Sequence, residues 1–219
     1  MEVDSETIWS HQQCYKYTMF EMYERTALVR TTSSLTARPG LTVVKGTPLS
    51  QPDIEAAFAT PSTPQAVVVP LNSPRQSDKS FAKSFAPPRL MADSHANFAN
   101  AMEEHGTKRI VSMSAFGVGD SFAESSWAMR VLVRRSNLCY AYEDHEAVDV
   151  EMKAKKNLEW TLVRFVMLRD GEELHVVDHG DRGEGVGLVA NVTRRSAAAC
   201  VLNATEETQW VRRTPVVSN

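Results

Sequence analysis

Short runs of β-branched and aliphatic residues alternate with helical patterns from Thr26 onward, and this rhythm constrains the fold more than any other feature of the chain. The runs lack strict polar and apolar alternation, which is typical of strands covered on both faces. Strands that alternate with helices build a parallel sheet. The sequence therefore predicts an α/β domain with strands at Thr26–Val29, Leu41–Val44, Ala66–Val69, Arg109–Met113 and Trp160–Val163.

Helices are predicted between and after these runs. Proline near a helix start, glycine after a helix end and basic residues in a last turn are the signals that place them. The stretch from Leu71 to Pro88 is predicted to be a loop, since it contains three prolines and many serines. The predicted helices are Pro52–Ala59, Ser94–His105, Trp127–Arg135, Tyr142–Lys155 and Arg195–Leu202, and two further strands are predicted at Leu174–Val177 and Pro215–Val217.

Composition narrows the class of protein. The 219 residues suit one domain with a proper core. A net charge of -3 with scattered basic pairs argues against a nucleic-acid partner. No apolar run approaches the roughly 20 residues of a membrane span, and three cysteines without a CxxC pattern indicate reduced thiols and a cytoplasmic location. We therefore predict no membrane partner. We also predict no metal site, because His175 and His179 have no third convergent ligand.

The first glycine of the chain is Gly40. Dinucleotide-binding sheets need glycines in the turn from their first strand to their first helix, so that backbone N–H groups approach a pyrophosphate. The later cluster around Gly183 precedes no predicted helix and does not fit this role. The sequence therefore predicts that the first strand and its glycine loop are missing or replaced, with Ile8–Phe20 as an apolar cover.

Several segments together resemble the atypical short-chain dehydrogenase/reductase family. They are KRIVSMSAFGVGDS (108–121), EMYERTALVR (21–30), PGLTVVKGTPLS (39–50), AVVVPLN (66–72) and DHEAVDVEMKAKKNLEWTLVR (144–164). The resemblance is to its NmrA-like members and to relatives of flavin reductase/biliverdin reductase B. It implies a Rossmann-like doubly wound parallel sheet that binds NADP or NAD, with residues 1–25 as a divergent segment and 26–219 as the domain.

The resemblance also implies cofactor-binding residues. Arg30 ends a strand beside the expected ribose, where a guanidinium pairs with the 2′-phosphate of NADP; the alternative is a surface arginine. Thr47 stands where the family commonly places an aspartate against adenine. Phe165 replaces a proline of the family's Arg-Pro turn near the nicotinamide. The other implied positions lie where strands end: Leu71, Asn72, Ser112, Met113, Arg164 and Val166.

Two residues are candidates for the chemistry. Ser114 matches a family serine that reaches the substrate carbonyl or the nicotinamide, although a serine there also suits a turn. His145 matches a family histidine, whose alternative role is to pack a helix. The usual Tyr/Lys proton relay is absent, since Asp144 and Glu146 stand four residues after Tyr140 and Tyr142.

The resemblance leaves three functional hypotheses. The leading one is an NAD(P)-dependent oxidoreductase that acts on a small carbonyl, quinone or flavin-like acceptor. The second is a non-catalytic nucleotide sensor or interaction protein. The third is an inactive family member whose N-terminus differs from the natural one, for example through alternative splicing.

Overall fold

A computed structural model describes residues 24–31, 35, 38–77 and 79–219. The predicted N-terminal cover at Ile8–Phe20 lies outside these residues. Nine strands occur in the described part of the chain: β1 Arg25–Val29, β2 Leu41–Lys45, β3 Ala66–Val69, β4 Arg109–Ala115, β5 Glu159–Phe165, β6 Met167–Arg169, β7 Val177–Asp178, β8 Asn191–Thr193 and β9 Val216–Ser218. The five α-helices found there are α1 Gln51–Phe58, α2 Leu90–His105, α3 Trp127–Arg135, α4 Leu138–Ala154 and α5 Arg194–Glu206.

The main sheet has the order β3-β4-β5-β9-β7, and only β7 runs antiparallel to its neighbour. Strands β1 and β2 form a separate parallel pair, as do β6 and β8. Among the described residues no strand joins the β1–β2 pair to β3. The doubly wound α/β fold is thus confirmed, and within the described part of the chain its sheet is interrupted where the sequence predicts that the first strand is missing or replaced.

Alternate residues of β4 face two different cores. Ile110 belongs to a core formed with helices α1, α2 and α4, while Val111 belongs to a core formed with α5. Both cores are dominated by fully buried aliphatic side chains. Since side chains alternate along a strand, Ser112 and Ser114 share the α2 and α4 side of the sheet.

The start of α2 is fixed by a residue that is distant in sequence. The carboxylate of Asp144, on α4, accepts hydrogen bonds from the backbone N–H groups of Met91 and Ala92 at 2.8 and 2.9 Å. These are two of the four N–H groups that a helix start leaves unpaired. The cap explains why α2 begins at Leu90, four residues before the predicted Ser94.

Other predicted bounds need correction. Helix α4 begins at Leu138 instead of Tyr142, and α5 extends to Glu206. The predicted strand at Leu174–Val177 is wrong for its first three residues, because only Val177–Asp178 pair with β9. The short strands β6 and β8 were not predicted. No helix within the described residues is long and apolar enough to cross a membrane.

Candidate functional site

The carboxyl ends of β3 and β4 carry two buried serines without side-chain partners. Ser114 lies in β4 and is 8% exposed, and Ser73 lies four residues after β3. Neither hydroxyl bonds another described residue. Buried hydroxyls are usually hydrogen-bonded, so both are available to a ligand. Ligands bind at this edge in doubly wound sheets.

Ser112 differs from Ser114 although both lie on one face of β4. Its hydroxyl lies 2.9 Å from Nε2 of His95, whose Nδ1 lies 2.6 Å from the carbonyl oxygen of Met91. A carbonyl only accepts, so Nδ1 donates to it, and Nε2 accepts a hydrogen bond from the Ser112 hydroxyl. Ser112 is therefore committed to an internal chain of hydrogen bonds. Met113 packs instead against the core on the α5 side.

Tyr142 joins the start of α4 to the end of β4. Its hydroxyl donates to the carbonyl oxygen of Phe116 at 3.1 Å, and its ring lies against Gly117. Burial raises the pKa of Tyr142 to about 12. Tyr142 is thus a neutral donor that fixes the Phe116–Gly117 turn.

His145 is buried on α4, one turn after Tyr142. Burial, assisted by the nearby His95, lowers the pKa of His145 to about 4. The imidazole is therefore neutral at physiological pH. Its ring nitrogens form no hydrogen bond with the described residues, so they remain able to accept or donate one.

Arg164 lies in β5 beside Ser114 in the sheet register and is fully buried. Nη2 contacts Oδ1 of Asp149 at 2.6 Å, and Nη1 donates to the carbonyl of Asp181 at 2.8 Å. Lys153 binds the other Asp149 oxygen at 2.7 Å. Both terminal nitrogens of Arg164 are thus engaged, Nε is buried without a hydrogen-bond partner among the described residues, and the backbone N–H donates to Pro215 at 2.8 Å. The predicted cofactor contact of Arg164 stays a prediction.

The backbone beyond Arg164 is also engaged in the sheet. The carbonyl of Phe165 accepts the N–H of Phe116 at 2.9 Å, and the N–H of Val166 donates to Val217. Both side chains are buried in the core on the α5 side. Phe165 and Val166 thus shape this edge, and their contact with a nicotinamide stays a prediction.

The predicted adenosine end lies where β1 and β2 terminate. Arg30 directly follows β1 and is exposed. The N–H of Gly46 donates to Val29 at 2.9 Å and aligns the two strand ends. The N–H of Thr47 donates to Asp53 at 2.8 Å, so that group is not free for adenine. The Thr47 hydroxyl accepts a long bond from Leu49.

Leu71 and Asn72 lie just beyond β3, whose last residue is Val69. Leu71 packs against the core on the α2 and α4 side. Asn72 is exposed, and its side-chain oxygen accepts the N–H of Ser73 at 2.8 Å. Its amide nitrogen remains available at the edge of the sheet.

A dinucleotide fits this edge at its two ends better than at its centre. At one end Arg30 is an exposed cation, and at the other the hydroxyl of Ser114 has no partner among the described residues. Two glycine turns near the strand ends leave no room for a pyrophosphate: a Cβ on Gly46 would lie 2.6 Å from Asp53, and one on Gly119 would lie 2.5 Å from Arg164. The spaces beside these two glycines are already filled by side chains of the protein.

A cleft of about 460 Å³ lies away from this edge, beside the starts of β5 and β9. Its cations already bind protein groups: Lys153 binds Asp120 at 2.9 Å, and Arg213 binds Asp181 at 3.2 Å. The side chain of Arg212 donates to carbonyls at the end of α4. This cleft therefore offers no unengaged charge to a ligand.

The sequence reasoning missed Ser73, Tyr142 and Asp149 as contributors to the site. Ser73 had a detectable signal, since it follows directly after the predicted site residue Asn72. Tyr142 was considered only as a proton donor, and its role in holding the turn depends on the packing of α4 on β4. No sequence pattern marks Asp149, because its pairing with Arg164 becomes visible only when the two side chains are seen buried together.

Comparison with known families gives one match. The model of a family described as NAD(P)H-binding matches residues 19–208. The curated proteins provide no match.

Solved structures share the fold at low sequence identity. A short-chain dehydrogenase/reductase from Veillonella parvula, solved with NADP, superposes with a TM-score of 0.70 at 16% identity, covering 97% of this chain and 89% of that chain. An anaerobillin reductase, ChuY, from Escherichia coli O157:H7 gives 0.73 at 14% identity, covering 95% and 91%. The oxidoreductase ylbE from Lactococcus lactis gives 0.71 at 14% identity, covering 99% and 89%. These similarities support the Rossmann-like fold.

Proposed function

The chain belongs to the NAD(P)H-binding family, and on that premise we propose that it is an NADP-dependent oxidoreductase acting on a small carbonyl, quinone or flavin-like acceptor. The observation that carries the proposal is Ser114, a buried serine at the ligand edge whose hydroxyl has no partner among the described residues. The bonded Ser112, two residues earlier, shows that this is not a general property of the strand.

Ser114 has a defined role in this proposal. The nicotinamide, when bound, supplies the hydride. An acceptor oxygen gains negative charge as it is reduced, and the Ser114 hydroxyl donates a hydrogen bond to it. His145 is neutral and positions the acceptor or an ordered water. The proton that completes the reduction of a carbonyl comes from solvent at this edge.

The preference for NADP rests on Arg30. An exposed guanidinium at the end of β1 offers two donors to a 2′-phosphate, which NAD lacks. The cysteine content supports a cytoplasmic location, and the proposed partner is a small molecule.

A second function, nucleotide binding without turnover, is favoured by a different observation. The hydroxyl of Tyr142 is occupied by the carbonyl of Phe116, and burial raises its pKa to about 12. His145 has its pKa lowered to about 4. Neither group is a ready proton donor at neutral pH. A protein that only senses bound NADPH needs no proton donor.

Cofactor binding is tested by titrating the purified protein with NADPH and NADH while following nicotinamide fluorescence. Saturable NADPH binding is expected. Arg30→Ala should lower the affinity for NADPH by about tenfold and hardly change the affinity for NADH. Lys108→Ala is the matched control, since Lys108 is exposed just before β4, at the opposite edge of the sheet, and should leave the binding of both cofactors unchanged. Absence of saturable binding at millimolar cofactor would reject both proposed functions.

Turnover is tested by measuring NADPH oxidation with carbonyl, quinone and flavin acceptors. Ser114→Ala should lower kcat by about a hundredfold with cofactor affinity unchanged. Unchanged kcat in this variant would remove Ser114 from the chemistry. NADPH binding without oxidation by any acceptor would select the sensor function instead.

A further inference from the structure

The loop after β3 contains a tandem repeat, Lys-Ser-Phe-Ala, over residues 79–86. Its lysines and phenylalanines are exposed while the residues between them are half-buried. Phe81 and Phe85 expose 68% and 60% of their surfaces. Backbone hydrogen bonds from Gln76 to Lys83 and from Phe85 to Pro74 hold the loop as a hairpin-like projection. The phenylalanines are therefore presented to solvent by an ordered backbone.

Helix α3 presents apolar residues to solvent in the same way. Trp127 is 73% exposed, and Val131, one turn later, is also exposed. Val133 is the only fully buried residue of this nine-residue helix. Single exposed apolar residues are ordinary, but a group of large ones marks an interaction surface.

The loop and the helix meet at Asn137. Its side-chain amide donates to the carbonyls of Phe81 and Ala82 at 3.0 and 3.2 Å. Asn137 follows α3 and directly precedes α4, where Tyr140 is also exposed. We call residues 79–85, 127–135 and Tyr140 the aromatic-basic surface.

Charge gives this surface a preferred partner. Residues 125–142 contain three arginines and no acidic residue, and residues 73–85 contain three basic residues against one aspartate. The whole chain, in contrast, carries a net charge of -3. The basic side chains are thus concentrated where the large apolar side chains are exposed.

We propose that the aromatic-basic surface docks the protein onto an anionic lipid bilayer. Phenylalanine and tryptophan insert at the level of the headgroups, and long basic side chains reach the lipid phosphates. A symmetric contact with a second copy would place the basic surface against itself, which like-charge repulsion opposes. The binding is peripheral and needs no membrane-spanning helix, and none occurs among the described residues. It replaces the expectation of no membrane partner, which the lack of a long apolar run had suggested.

The test is co-sedimentation of the full-length protein with vesicles of phosphatidylcholine, with and without phosphatidylserine. Binding to the anionic vesicles is expected to weaken as salt is raised. Lys79→Glu/Lys83→Glu should lower partitioning by at least about tenfold. Phe81→Ser/Phe85→Ser should lower it by a similar factor, because two apolar anchors are lost.

Matched controls use exposed residues outside the surface. Leu188→Ser/Val189→Ser removes two exposed apolar side chains, and Lys108→Glu reverses one exposed charge. Both should partition as the unmodified protein does, and unchanged circular dichroism would show that all variants fold.

Three results would overturn the proposal. They are equal binding to neutral and anionic vesicles, no vesicle binding at all, and binding to soluble polyglutamate that vesicles do not compete away. Formation of a dimer that Trp127→Ser abolishes, measured by light scattering without lipid, would identify a second copy as the occupant instead.

Discussion

Ser114 and Arg164 are neighbours in the sheet register and face the same side, yet their surroundings differ completely. The Ser114 hydroxyl has no partner among the described residues, whereas the Arg164 guanidinium binds Asp149 and the carbonyl of Asp181. A buried side chain whose two terminal nitrogens already bind its own protein has little to offer a ligand, and its Nε is buried without a partner among the described residues. Ser114 is therefore the candidate for the chemistry, and Arg164 stabilises the structure beside it.

The largest expected effect comes from breaking the ion pair between Arg164 and Asp149. Asp149→Asn removes the carboxylate that binds Arg164 and Lys153. Among the described carboxylates it leaves the buried guanidinium with only the longer 3.6 Å contact to Oδ1 of Asp120. The free energy of unfolding, measured in urea, should fall by about 3–5 kcal/mol. Glu151→Gln on the same helix removes an exposed partner of Arg89 and should cost no more than about 1 kcal/mol. Equal losses would show that Arg164 is not held by a buried pair.

The next effect concerns the two buried histidines, His145 and His95. Burial lowers the pKa of His145 from 6.5 to about 4 and also lowers that of His95. Between these pH values the unfolded chain takes up protons that the folded protein does not. Stability is therefore complete above about pH 6.5 and is lost as the pH falls toward 4, by about 3 kcal/mol for His145.

The pH effect is measured by urea denaturation at a series of pH values. His145→Gln should flatten the profile in this window, while the control His175→Gln, at an exposed position, should leave it unchanged. A steep profile that persists in His145→Gln would assign the pH dependence to other groups.

A smaller effect tests the turn next to Arg164. Gly119 has a φ of 56°, and a Cβ there would lie 2.5 Å from Nη2 of Arg164. Gly119→Ala should cost about 2–3 kcal/mol through steric displacement of the ion pair and backbone strain. Gly106→Ala has a similar positive φ but open space around it, and should cost about 1 kcal/mol. Similar thermal shifts for the two variants would count against tight packing at Arg164.

The smallest effect distinguishes the two serines of β4. Ser112→Ala leaves Nε2 of His95 without its hydrogen bond and should cost about 1–2 kcal/mol of stability. Ser114→Ala breaks no bond among the described residues and should change stability by less than about 0.5 kcal/mol. Urea denaturation of both variants measures the difference. A large loss in Ser114→Ala would mean that this serine is structural.

The strands were predictable because their β-branched runs carry the signal locally. The five strands predicted from these runs all occur, with ends shifted by at most two residues. Of the other two predicted strands, Pro215–Val217 is shifted by one residue, and only Val177 of Leu174–Val177 lies in a strand. The family resemblance is likewise confirmed by the match over residues 19–208. The starts of α2 and α4 were wrong because such boundaries depend on caps and packing, as the contact of Asp144 with the start of α2 shows.

The places of the candidate residues at strand ends were predictable from the sequence, whereas their roles stay predictions. The residue types at Ser112 and Ser114 are identical, and only the placement of His95 separates a structural hydroxyl from an available one. Arg164 was found through the resemblance, but its burial beside Asp149 depends on how α4 lies on β5. Its cofactor contact and those of the other candidate residues stay predictions.

The Asp144 cap also has a consequence for the order of folding. The chain is synthesised from its N-terminus, so all of α2 is made before Asp144 emerges, more than 50 residues after the N–H groups that it binds. The first turn of α2 therefore frays on the nascent chain until α4 has formed and docked. Synthesis that stalls between the two helices leaves a partly formed α2 whose apolar face is still exposed to chaperones and proteases.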